Sequence, residues 1–164
     1  MYHRQIKILD FIFVRFLIEM IGSMMSYLLI AIILIYLGLF PVPADLGMLI
    51  AGWGLYCLFT LSLCLILAPL SETSEVIEKL LPVTTYIMIP FAGTFNMVSW
   101  LSPKLRDGML WSPFVDAMEM MRYGVFGEQV TPYYDPMVPV WASMICMVVG
   151  LTLCRRIRRK LVVE

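Results

Sequence analysis

Charge is scarce in this sequence, and its absences are grouped. Residues 20–40, 46–70, 80–103 and 136–154 contain no Asp, Glu, Lys or Arg. Histidine occurs once, as His3, and no CxxC pair, P-loop or glycine-rich phosphate cradle is present. A nucleophile–base set needs histidine or paired carboxylates at depth, and the charge-free runs hold neither, so no catalytic residue is assigned. The four cysteines (Cys57, Cys64, Cys146, Cys154) lie inside or at the edge of apolar runs. There they act as small packing residues, and no metal ligand set is assigned. No cleavable leader is expected either. The first apolar stretch follows His3, Arg4 and Lys7 and continues to Phe40, past an h-region of roughly 7–15 residues.

What is present is apolar. Of 164 residues, 61% are hydrophobic and 15% charged, with mean hydropathy +0.87. A soluble domain has about 45–50% apolar and about 25% charged residues, and a chain this short cannot bury such an excess in one core. Lipid is therefore its solvent. A helix crosses the hydrocarbon with about 20 residues at about 1.5 Å each, so all four charge-free runs qualify. They lack period-2 alternation, which favours helices over strands. The expected architecture is an all-α integral membrane protein with spans at about 17–40, 46–69, 81–101 and 137–154 and an outer hairpin at 102–135. A basic tail at 155–164 completes it. The link 41–45 (Pro-Val-Pro-Ala-Asp) is a breaker, and the polar, acidic stretch 71–79 is expected to be a loop.

Four crossings put both termini and the 71–79 loop on one side. That side holds nine cations (Arg4, Lys7, Arg15, Lys79, Arg155, Arg156, Arg158, Arg159, Lys160), against Lys104, Arg106 and Arg122 on the other. By the positive-inside rule both termini are cytoplasmic. The tail is a stop-transfer and headgroup anchor rather than a nucleic-acid contact.

The outer segment is rich in Trp, Phe, Tyr and Met, yet too charged to be a fifth span. Ser102-Pro103 and Ser112-Pro113 each read as a helix start, with serine as N-cap and proline in the first turn. In the second helix Phe114, Met118, Met121 and Val125 fall on one face, and Asp116, Glu119 and Tyr123 on the other, with Arg122 beside them. Gly124 and Gly127 are expected to end it after about 11 residues, roughly half a membrane in length. It either dips into the bilayer and returns or lies at the interface. At the other end Arg15 and Glu19 sit at i, i+4 in the first span, able to pair. They read equally as a specific charge pair or as a snorkelling anchor with its counter-ion. Thr84, Thr85, Thr94, Asn96 and Ser99, with Pro90 and Gly93, make the third span polar and kinkable, turned to a cavity or another helix.

Three stretches carry a resemblance to a known family. The first is Tyr2-His3-Arg4-Gln5-Ile6-Lys7 with Asp10, Arg15 and Glu19, and the second runs from Glu75 to Pro82 into a span with Met88 and Pro90. The third is Trp111-Ser112-Pro113-Phe114-Val115 with Glu119-Met120, Arg122 and Gly124 to Gly127, then Tyr133-Tyr134-Asp135. With these the sequence resembles the permease subunit of ATP-binding-cassette exporters that move capsular polysaccharide across the bacterial inner membrane. The likeness corresponds to the C-terminal three-fifths or so of such a subunit, so two earlier spans of the family are expected to be lacking.

The resemblance implies a non-enzymatic channel subunit with no cofactor of its own, ATP being bound by a separate subunit. It also implies a second permease copy, a polysaccharide substrate and an outer hairpin that gates the exit. Candidate gate or path residues are Trp111, Asp116, Glu119, Arg122, Tyr123 and Phe126. On this reading the polar face meets the moving glycan or the partner subunit's hairpin, while Phe114, Met118 and Met121 bury against lipid or other spans. Related exporters of O-antigen, teichoic acid, lipid or drug share the span pattern. A membrane enzyme would need acidic or histidine clusters, for which 71–79 offers only Glu72, Glu75 and Glu78. A non-transporting permease fragment is the remaining alternative.

Overall fold

The computed structural model describes residues 8–161, with side chains for 10–156. His3, Arg4 and Lys7 at the entry, and the side chains of Arg158, Arg159 and Lys160 in the tail, lie outside the described residues. Within them the chain is all helical. Its helices are α1 (Ile8–Tyr36), α2 (Leu46–Thr73), α3 (Glu75–Met88), α4 (Pro103–Met109), α5 (Pro113–Phe126) and α6 (Met137–Leu161). Single 3-10 turns lie at Pro90–Ala92, Val98–Trp100 and Gly127–Gln129. Three segments are long and apolar enough to cross a membrane: Asp10–Tyr36, Leu46–Thr73 and Met137–Arg156.

Helix boundaries follow local chemistry. α1 stops at Tyr36 rather than Phe40 because Gly38 takes a left-handed φ of 71°. Its N–H donates to Ile35 and that of Leu39 to Leu34, a Schellman closure that satisfies the last carbonyls. Asp45 caps α2 by accepting from the Gly47 and Met48 amides at 2.8 and 3.1 Å. The stretch 71–79 is not a loop. α2 continues to Thr73 and α3 begins at Glu75, with only Ser74 extended between them.

The run at 81–101 is not one helix. α3 ends at Met88, Pro90 opens a 3-10 turn, and Gly93 closes it in the left-handed region at φ 75°. Proline offers no amide to the helical ladder and glycine admits the left-handed turn, so the kink expected there is a break. In the outer segment Pro103 and Pro113 open α4 and α5 as expected. Ser102 and Ser112 occupy the cap positions without a side-chain bond; their carbonyls accept from Arg106 and Asp116 instead. α5 runs 14 residues and ends at Gly127, not at Gly124.

α2 is the central element. Along its first half α5 packs antiparallel: the Ala44 and Asp45 amides donate to Val125 and Gly124, and Leu49 meets Gly124. Further along, Gly52 meets Ala117 and Met121, and Phe114 packs tilted on Tyr56 and edge-on against Phe59 at 5.1 and 4.7 Å. α6 packs parallel to α2, because Tyr134 just before it reaches Met48 while Gly150 and Cys154 meet Leu65. The start of α1 joins this line through Ile12, buried with Leu65 and Cys154. The rest of α1 is largely exposed, including Leu17, Ile18, Ile21, Met25, Leu29 and Ile32. No residue of α3 is buried.

Candidate functional site

The face of α5 read as polar and accessible is buried. Asp116 and Glu119 are 1% and 2% exposed, among Val115, Ala117 and Met120 on the same helix. The apolar face lies on α2, as expected from Phe114, Met121 and Val125. The opposite face is covered by residues 90–100 and by the start of α6. Glu119 Oε1 accepts from the Val98 amide at 3.2 Å and pairs with the Arg122 guanidinium. Arg122 also donates to the Gly93 carbonyl at 2.9 Å. The pair thus grips both ends of the turn following α3, with Gly93 against Val115 and Val98 fully buried.

Asp116 ties in the third element. Its Oδ1 accepts from the Asp135 amide at 3.2 Å, two residues before α6. Its Oδ2 and the Glu119 Oε2 are buried without a hydrogen-bond partner. Burial pushes the Asp116 carboxyl up to about 6; the Asp135 amide opposes this, and the charges of Asp135 and Glu119 add to it. An aromatic rim closes the cluster: Tyr123 packs on Tyr134 at 6.0 Å, Phe126 meets Phe40 edge-on at 5.9 Å, and Arg106 lies over Tyr133 at 4.5 Å. Trp111, between α4 and α5, stands apart at 85% exposed.

Five of the six outer candidates are therefore in packed positions, and only Trp111 projects freely. Arg15 and Glu19 are exposed on α1 and do not form an ion pair; the pairs among the described residues are Arg122–Glu119 and the exposed Lys79–Glu75. Both instead line a groove against Thr60, Cys64, Ser71 and Glu72 of α2. No sequence pattern marked Val98, whose part is played by its backbone amide. Gly93 was marked, with Pro90, as a kink in the third span, while nothing marked Gly52. Among the described residues no three metal-ligating side chains converge. What the cluster does chemically is hold three segments together by charge-assisted bonds in a dry setting.

These features define a helical membrane protein whose buried charges serve packing between segments. No protein-family model matches the chain. It is 31% identical over 153 residues to the capsule polysaccharide export inner-membrane protein CtrC of Neisseria meningitidis serogroup B. That alignment covers 93% of this chain and 58% of the relative. Against the capsule polysaccharide export inner-membrane protein BexB of Haemophilus influenzae the identity is 28% over 155 residues, 94% of this chain and 58% of that one. The chain is thus similar over nearly its whole length to capsule polysaccharide export inner-membrane proteins, as the motifs around Trp111 and Tyr134 implied. It spans just under three-fifths of the length of these relatives.

Proposed function

We propose that this chain forms part of the membrane-spanning subunit of an ATP-driven exporter that moves capsular polysaccharide across the inner membrane. The observation that carries this reading is the similarity to named capsule-export inner-membrane proteins over 93–95% of the chain. In this assembly a separate subunit binds ATP, a second permease copy completes the path, and no nucleic acid is involved.

The packing supports the finer topology. α2 and α6 run parallel, so the 74–136 connection makes one net crossing. α3 and the broken segment after it supply that crossing, giving four spans with both termini cytoplasmic. α5 returns antiparallel along the first half of α2, beside residues 44–59, which suits a hairpin that enters from the outer side and leaves by it. The hairpin gates through the projecting Trp111 and the rim residues Tyr123 and Phe126, while Asp116, Glu119 and Arg122 hold its shape. Aromatic rings suit a sugar polymer because they contact C–H faces without selecting a hydroxyl pattern, so a chain can slide.

The test is complementation. This chain is joined to the part of a capsule-export relative that it does not cover, in a strain lacking its own permease. Surface polysaccharide should return. A chimera inserted at normal abundance, with polymer still retained in the cytoplasm, would overturn the assignment.

A further inference from the structure

The groove between the first turns of α1 and the last turns of α2 has no part in the reading above. It measures about 440 Å³. Its lining is apolar at Phe11, Ile12, Phe16 and Ala68, and it carries one cation, Arg15, and two carboxylates, Glu19 and Glu72. None of the three charges has an ion-pair partner among the described residues. Arg15 and Glu19 lie within the Asp10–Tyr36 span, about 8 and 14 Å along it at 1.5 Å per residue. Charges at such depth need partners, and long side chains reach for the headgroup layer. The groove opens between two helices that are each long and apolar enough to span, so its natural occupant comes from the bilayer.

We propose that this groove binds a zwitterionic aminophospholipid. The phosphate sits on the Arg15 guanidinium, a match of planar donors to phosphate oxygens. The primary ammonium donates to Glu19 or Glu72, and the upper part of one acyl chain lies along Phe11, Ile12 and Phe16. Two carboxylates against one cation disfavour a headgroup with net negative charge. A quaternary ammonium, lacking N–H groups, cannot donate to those carboxylates. The proposal rests on the membrane reading of α1 and α2 and is independent of what the protein exports, so a failure of the export assignment leaves it standing.

The full chain, purified in detergent, is titrated with phosphatidylethanolamine, phosphatidylcholine and phosphatidylglycerol, and bound lipid is counted by native mass spectrometry. Phosphatidylethanolamine occupancy should exceed that of the other two by about fivefold, the scale of one exposed charge contact, and Arg15→Gln should lower the occupancy of all three, since each carries the phosphate that Arg15 holds. Glu19→Gln combined with Glu72→Gln should bring phosphatidylglycerol up to the level of phosphatidylethanolamine. Equal occupancy by all three lipids in the unaltered groove, or an unchanged preference in the double variant, overturns the proposal. A second measurement keeps all three groove charges intact. With Cys57, Cys146 and Cys154 replaced by alanine, phosphatidylethanolamine should slow alkylation of Cys64 by N-ethylmaleimide and phosphatidylglycerol should not. Alkylation at one rate with and without phosphatidylethanolamine means that the groove is empty or filled by protein, and the proposal fails.

Discussion

Glu119 and Arg122 show how burial changes what a charge does. On an exposed face the pair would contribute little, since surface ion pairs give about 0–1 kcal/mol. Here the Glu119 side chain is 1% exposed and that of Arg122 13%. Removing one partner strands the other, at a cost of about 3–5 kcal/mol. Glu119→Ala should therefore lower the amount of inserted protein several-fold, with Glu119→Gln milder because its amide oxygen can still accept from Val98. The double variant Glu119→Ala, Arg122→Ala should lose less than the sum of the singles, measured as unfolding free energy in detergent. Strict additivity would mean that the two residues act apart.

Asp116 is a separate case with the opposite sign. Its carboxyl titrates near 6 in the fold, above its ordinary 3.8, so the folded chain keeps a proton that the unfolded chain releases. Stability should fall as pH rises from about 4 to about 6 and stay lowered above that. Asp116→Asn retains an acceptor for the Asp135 amide and abolishes the titration. Its thermal midpoint should lie above that of the parent at neutral pH and change less between about pH 4 and 6. A variant as pH-dependent as the parent would assign the effect to another group.

At the scale of elements, α5 rests on α2 through small residues. A Cβ on Gly124 would come within 2.5 Å of the Leu49 amide nitrogen, and one on Gly52 within 2.8 Å of that of Met121. These are backbone contacts, which cannot swing aside as a side chain can. Small residues allow such close approach where no hydrophobic drive joins helices in lipid. Gly52→Leu should push the helices apart at about 1–3 kcal/mol or more. Gly54→Leu is the control, since a Cβ there would meet nothing within 4 Å. Gly52→Leu should lower the thermal midpoint in detergent well below that of Gly54→Leu, and equal midpoints would mean that the contact is not tight. The same scale accounts for the third run, where composition marked an apolar span and Pro90 with Gly93 broke it.

For the whole molecule, the parallel run of α2 and α6 and the cation asymmetry make one topological prediction. With cysteines only at position 107 or only at position 78, a membrane-impermeant thiol reagent added to intact cells should label 107 and spare 78. The reverse pattern would invert the orientation and remove the outer hairpin from the outer side.

The sequence by itself determined the helical class, the placing of three of the four apolar runs and the motif around Trp111. These are local properties, since hydropathy over about 20 residues depends on no distant contact. Tertiary structure decided which face of α5 is covered. Asp116 and Glu119 look exposed in any helical projection, because the groups that bind them and Arg122 come from Asp135, Val98 and Gly93, 19 to 29 positions away. It also decided that Arg15 and Glu19 face Glu72 across a groove rather than each other. Periodicity tells one face of a helix from another, but the number of neighbours that cover it is fixed only when distant segments pack together.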